Sequence, residues 1–316
     1  MWASFQDAFL FGLSVTLPSV LLLFLGWYLR HSQQVDAAFC DQASKIVFRY
    51  SMPALLFFSI YGNTSDFGSQ LQLIWAGFIS SMVLFIGAEI IARYTIKEVR
   101  NQGVFVQGVY RGNTMIMGLA FVSSAYGAEG VAMGAVYGGA MTLLFNVLAV
   151  ITLSRGNGKI NPVALLKQIL KNPLILAILA ALLFKGLHIP VSPLLAETGR
   201  YLSVLALPLA LICAGATLQL SSLWKVADMA MWASLGRLFI APLVAVISGL
   251  ALGLEGMAMG ILFLMTATPV AAASYVMAKA MGGNDIAAAN ILGITTVGAL
   301  PVAAIGIMVL RLMGWM

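Results

Sequence analysis

The sequence predicts an all-α polytopic membrane protein of ten transmembrane helices. It arranges them as two inverted five-helix repeats whose fourth and ninth helices are broken and cross. Three observations predict this. First, 61% of the 316 residues are hydrophobic and only 9% charged, with a mean hydropathy of +0.98, whereas a soluble domain carries about 25% charged residues. Second, apolar runs of about 18–25 residues, the length a membrane helix needs, recur along the whole chain. Third, helix-weakening residues interrupt two of these runs, 103–126 and 256–281, near their centres.

Span 1 covers residues 8–29 and holds Pro18; it is too long for a signal peptide and has neither a basic start nor a small-residue cleavage site. Span 2 (38–61) contains Ser51-Met52-Pro53, span 3 covers 71–94, span 4 covers 103–126 and span 5 covers 130–153. A polar connection over 154–171 follows, with Gly156-Asn157-Gly158 and Asn161-Pro162 as turn signals. Spans 6 to 10 cover 172–187, 198–218, 227–252, 256–281 and 286–313. The division is thus a first repeat over 1–153, a cytoplasmic connecting loop over 154–171, and a second, inverted repeat over 172–316.

Charge sets the orientation. With an outside N-terminus, the inner ends and loops carry twelve Lys and Arg residues, from Arg30 to Lys279, while the outer side carries only Lys185, Arg200 and Arg311. That asymmetry obeys the positive-inside rule and places both termini outside, in the periplasm for a bacterial inner membrane. The net charge of +6 is a loop property and points to no nucleic acid.

The halves echo each other at one offset. Pro53 and Pro208, Asn113 and Thr268, and Asn146 and Pro301 each lie 155 residues apart. Five helices per half is an odd number, so the second half enters from the opposite side, and a substrate is expected at the midplane where discontinuous helices meet.

The stretch Tyr110-Arg111-Gly112-Asn113-Thr114-Met115-Ile116-Met117-Gly118-Leu119 is the centre of the reading. Gly112 and Gly118 loosen a helix, and the side chains of Asn113 and Thr114 compete for its backbone hydrogen bonds. Irregular backbone is tolerated at membrane depth only where protein buries it or it lines a cavity. The stretch therefore reads as an interrupted helix facing a site, with a kink at a packing interface as the alternative. In span 9, Thr266-Ala267-Thr268-Pro269 ends a helix because Pro269 has no N–H and clashes with the preceding turn. Crossed breaks would aim half-helix N-termini at the centre and favour an anion there.

Asn113 is the first candidate for substrate contact, since its amide both donates and accepts. Thr114, Thr266 and Thr268 come next, each either contacting the ligand or bonding back to its own helix; with Gly118 and Pro269 they complete the expected substrate site, with Asn146 either lining it or bonding across helices. Tyr275 either reaches the cavity or packs. Arg237 lies deep in span 8 and needs a partner, for which Glu89 in span 3 is the expected choice. Arg111 either pairs with an anion or snorkels inward. Glu129 and Asp285 read as helix N-terminal acids. Coupling to Na+ or H+ stays open: Glu89 is the one acid well inside a span, and oxygens of Asn113, Thr114 and the backbone near Thr268 could supply part of a sodium cage. Cys40 and Cys213 have no metal-site spacing, so no cofactor or metal is expected. No GxSxG, HExxH or Walker loop is present, which argues against an enzyme and against ATP-driven pumping.

These residues resemble the auxin efflux carrier family, the plant PIN-type carriers and their bacterial relatives. The carriers' helix 4 pattern Asn-Thr-x-x-Met-Gly-x-Pro is similar to Asn113-Thr114-Met115-Ile116-Met117-Gly118-Leu119-Ala120. Pro269, Ala278-Lys279, Asp285 and Ala299-Leu300-Pro301 are similar to their helices 9 and 10, and Pro53, Leu55, Phe57 and Ile60 to their helix 2. Ala120 departs from the pattern by standing where plant members carry the crossover proline. The resemblance implies a bile-acid/sodium symporter-like fold, with a scaffold of spans 1, 2, 6 and 7 and a moving unit of spans 3–5 and 8–10. It also implies elevator-like alternating access for carboxylate substrates, contact of Asn113 with the substrate, and closure of the site by the backbone around Pro269. The expected function is a secondary transporter of small organic anions such as auxin, malonate or malate, with a channel or membrane sensor as the alternative. A homodimer through the scaffold helices is a further expectation.

Overall fold

The structure, a computed structural model, describes residues 2–62, 67–153, 171–217 and 228–316. The polar connection expected over 154–171 therefore lies outside the described residues apart from Lys171. In chain order the helices are α1 (Trp2–His31), α2 (Ala37–Ile46), α3 (Met52–Tyr61), α4 (Phe67–Thr95), α5 (Val99–Tyr110) and α6 (Leu119–Leu153). There follow α7 (Pro173–Gly186), α8 (Pro193–Ala216), α9 (Asp228–Leu235), α10 (Ala241–Ala251), α11 (Gly256–Thr266), α12 (Ala272–Ala280) and α13 (Asp285–Leu312). Among the described residues, six segments are long and apolar enough to cross a membrane: Gln6–His31, Gln70–Thr95, Thr114–Leu153, Pro193–Ala216, Asp228–Ala251 and Asp285–Leu312. Phe9, Leu21, Phe24, Ile86, Trp232 and Ile247 are among the many large apolar side chains left on the outside. A bilayer is the solvent that such a surface fits.

Fewer long segments than expected spans emerge because several spans are divided. Between α2 and α3 the chain makes a wide π-helical turn over Val47–Ser51, and between α9 and α10 another over Gly236–Ile240. Each precedes a proline, Pro53 or Pro242. A proline cannot donate to the carbonyl four residues back and its ring crowds that carbonyl, so the helix widens there instead of stopping. The Met52 N–H reaches Val47 O and the Ala241 N–H reaches Gly236 O, five residues back in each case. In α6 the boundary between spans 4 and 5 is Gly127, at φ 58° and ψ −147°.

Helix α1 packs between α8 and α13, and α3 packs against α7 and α8. Helix α4 lies on α5, α6 and α10, and α13 covers α9 and α12. The α1–α8 contact brings backbones together at Gly26, where a Cβ would run into Ile212 O, and at Gly215, where it would run into Leu23 O. Lipid offers little hydrophobic force between helices, so close approach over small residues supplies the attraction. Gly26→Leu would wedge these helices apart at a cost of about 1–3 kcal/mol. The expected outcome is a lower thermal unfolding midpoint in detergent, and an unchanged midpoint would contradict this packing.

Candidate functional site

Spans 4 and 9 are broken, and the breaks meet. Helix α5 ends at Tyr110, and α11 ends at Thr266. Between α5 and the wide turn Thr114–Gly118, Arg111 and Asn113 are non-helical, at φ/ψ of −86°/90° and −84°/58°. Gly112 and Val270 pair as an antiparallel β-bridge. The Asn113 N–H donates to Pro269 O at 2.9 Å and the Ala271 N–H donates to Arg111 O at 3.0 Å. The Val270 N–H is taken by Thr295 Oγ1 on α13, at 3.1 Å. Two interrupted helices thus satisfy part of each other's freed backbone through one short strand-like contact, as membrane depth demands.

The carbonyls at the ends of α5 and α11 are collected by one side chain. Arg237 is 1% exposed and sits on the wide turn Gly236–Ile240. Its Nε donates to Thr268 O at 2.9 Å and its Nη1 to Tyr110 O at 2.9 Å and Val109 O at 3.2 Å. Its Nη2 donates to Thr266 O. The expected pair with Glu89 is not formed. Glu89 accepts from Thr152 Oγ1 at 2.7 Å and lies 4.0 Å from Arg93. The physical reason is that two helix C-termini offer Arg237 partial negative charge at shorter range. Gly112 makes room for this arrangement: a Cβ there would lie 2.8 Å from Arg237 Nη2 and from Thr268 Oγ1.

Arg111 is also buried, at 5% exposure, so it does not snorkel. Its Nη1 donates to Gln107 Oε1 at 3.1 Å and touches Met277 Sδ at 2.8 Å, and its Nη2 donates to Asn146 Oδ1 at 2.8 Å. All three partners are neutral. Asn146 therefore bonds across helices, the second of its two expected roles. The Thr268 hydroxyl donates back to Met265 O at 3.2 Å, while the Thr268 carbonyl that a sodium cage would use is held by Arg237. Thr114, Thr266 and Pro269 are buried in the crossing, and Gly118 lets Met265 approach. Tyr275 is half-buried on α12 and packs against the core. Asp285 stands in the first turn of α13, as an N-terminal acid should.

Asn113 is the exception among these groups. It is half-buried while Arg111, Gly112, Thr114 and Met115 are buried. Its side-chain amide makes no hydrogen bond with the described residues. Ala120 and Ser123 line a cavity of about 380 Å³ between α1, α3, α6 and α8, with Pro18, Ser19, Leu55, Ser124, Arg200, Ser203 and Pro208 on its other walls. Thr295, Gln107, Ser123 and Ser203 were not foreseen from the sequence. A hydroxyl in an apolar helix most often bonds its own backbone, so nothing marks the three hydroxyls in advance, and Gln107 matters only through its bond to Arg111.

Arg237→Lys tests the crossing. An ammonium keeps the charge but cannot spread donors over four separated carbonyls. The expected result is a fall of several degrees in the unfolding midpoint, and a midpoint equal to that of the native protein would refute the role given to Arg237.

Residues 13–157 and 157–307 match the family model described as "Membrane transport protein". An "uncharacterized transporter" of Methanothermobacter thermautotrophicus is 26% identical over 276 residues, covering 84% of this chain and 88% of that protein. The family match spans nearly the whole chain and carries both breaks, so the chain belongs to the membrane transport protein family that contains the auxin efflux carriers, and it is an integral membrane transporter.

Proposed function

We propose that the protein is a secondary transporter of small organic anions, mono- or dicarboxylates, working by elevator-type alternating access. The observation that carries the reading is the charge at the crossing. Each helix end bears about half an elementary charge, negative at a C-terminus and positive at an N-terminus. The ends of α5 and α11 offset Arg237. Among the described residues Arg111 has only neutral partners, and the starts of Thr114–Gly118 and α12 add to its sign. Among the described residues Glu89 is the sole buried carboxylate, and it is engaged at Thr152. A positive, partly desolvated site beside the Asn113 amide, which bonds none of the described residues, is suited to a carboxylate.

The elevator reading assigns α1, α2–α3, α7 and α8 to a scaffold and α4–α6 with α9–α13 to a moving unit. The 380 Å³ cavity lies on that seam, between α1, α3 and α8 on one side and α6 on the other. Asn113 does not line that cavity, so movement along the seam is what would bring it to the outer face under the charge-based orientation, with both termini outside. The similarity to an uncharacterized transporter of Methanothermobacter thermautotrophicus supports the transport part of this reading.

Uptake of labelled mono- and dicarboxylates into proteoliposomes tests the proposal. Saturable flux that speeds up when the same anion is loaded on the far side is the expected result, while conductance at channel rates would replace the carrier with a channel. Asn113→Ala should abolish uptake and leave membrane insertion intact, because its backbone bond to Pro269 is retained. Wild-type uptake by a well-inserted Asn113→Ala protein would remove the site. Glu89→Gln and Arg237→Lys should act additively on stability, within about 0.5 kcal/mol, as separated residues do. A coupling of 1 kcal/mol or more, roughly the size expected for contacting residues, would restore the direct pair.

A further inference from the structure

Two polar groups of the crossing have no hydrogen-bond partner among the described residues, and both residues line the same small space. Gln107, in the last turn of α5, is 1% exposed. Its Oε1 accepts from Arg111, but its Nε2 has no hydrogen-bond partner. Ser274, in the first turn of α12, is 5% exposed, and its Oγ also has none. Both line a cavity of about 10 Å³ whose apolar walls come from Val104, Val270, Ala288 and Ile291. Buried polar atoms are almost always paired, by ordered water where protein does not reach.

We propose that this cavity binds one water molecule, which accepts from the Gln107 Nε2–H and donates to Ser274 Oγ. The volume is about that of a single water site, and a buried water needs two to four polar partners. A metal cation does not fit, because the Gln107 amide presents N–H to the space and the Arg111 guanidinium stands on its other side. An organic anion does not fit in the volume. The bound water joins the C-terminal turn of α5 to the N-terminal turn of α12, across the two breaks. It also fixes the Gln107 amide: with Nε2 held by water, Oε1 faces Arg111. The reversed amide would set a donor against the guanidinium. Gln107 is therefore a positioning residue for Arg111, and the water is part of what positions it. None of this depends on which substrate is carried.

The test uses the full-length protein in lipid nanodiscs. A density map that shows ordered water should place one peak within hydrogen-bond distance of both Gln107 Nε2 and Ser274 Oγ. An empty cavity between two well-ordered side chains overturns the proposal. Thermal unfolding gives an independent sign. With water present, Ser274→Ala removes one of its partners, and the midpoint falls by about 2–4 °C. With a dry cavity the same change deletes an unpaired buried hydroxyl, and the midpoint stays or rises. Ser274→Val sharpens the contrast. It fills a dry void and stabilises, but expels a bound water, strands the Gln107 amide and lowers the midpoint further than Ser274→Ala. A midpoint that stays or rises in both variants overturns the proposal.

Discussion

The crossing depends on one constraint: a helix interrupted in a bilayer frees backbone groups that water cannot reach, at several kcal/mol apiece. Arg237 meets the acceptor half of that demand. Four carbonyls from two different helix ends converge on one planar guanidinium. A fork of five fixed donors suits such a task, and a point-like ammonium does not. The burial of Arg237 is tolerable for the same reason, because the partial negative charges of two helix C-termini stand in for a carboxylate. The wide turn ahead of Pro242 carries this side chain, so a proline in span 8 bears on the broken helices of spans 4 and 9. Gly112 completes the arrangement by leaving room for the guanidinium.

Once the C-terminal ends are capped, the N-terminal ends are what the proposed anion site would use. Donors at the breaks are partly consumed by the short bridge between Gly112 and Val270 and by Thr295. What stays uncompensated is the sign of the site: Arg111 among neutral partners, and two helix starts of the same polarity. The two arginines divide the work, Arg237 holding the backbone together and Arg111 setting the potential. Their environments make the division, since both are buried and neither touches a carboxylate among the described residues.

Much of this was legible in the sequence. Asn113 beside Gly112, and Pro269 after two threonines, stand out in apolar runs because each weakens a helix by a known route. The partner of Arg237 was misread for an equally physical reason. Reasoning from sequence pairs a buried charge with the nearest opposite charge, which was Glu89. Helix ends become candidates only after two breaks from distant parts of the chain are seen to meet. Thr295 was hidden because its hydroxyl also bonds its own helix, donating to Ile291 O at 2.7 Å while accepting from Val270. The wide turns at Val47–Ser51 and Gly236–Ile240 were hidden because a proline inside a span announces a disturbance without saying whether the helix kinks, stops or widens.

Under the transport reading, the bonding at the crossing also constrains how the protein can move. Sliding one broken helix past the other would break the Gly112–Val270 bridge and separate Arg237 from carbonyls on one side or the other. Every group so exposed would need a new partner at membrane depth. Motion along the seam formed by α1, α3 and α8 disturbs none of these bonds. The walls of the cavity there come from Pro18, Leu22, Leu55, Leu207 and Leu211, with hydroxyls of Ser19 and Ser203 between them. Apolar contacts of that kind can be exchanged for similar ones without leaving a donor or acceptor unpaired. On the elevator reading, the energetically easier motion would therefore carry the two breaks, Arg111, Arg237 and Asn113 as one body past the proposed scaffold helices. The same bonds that make broken helices tolerable in a membrane would then make the site travel intact.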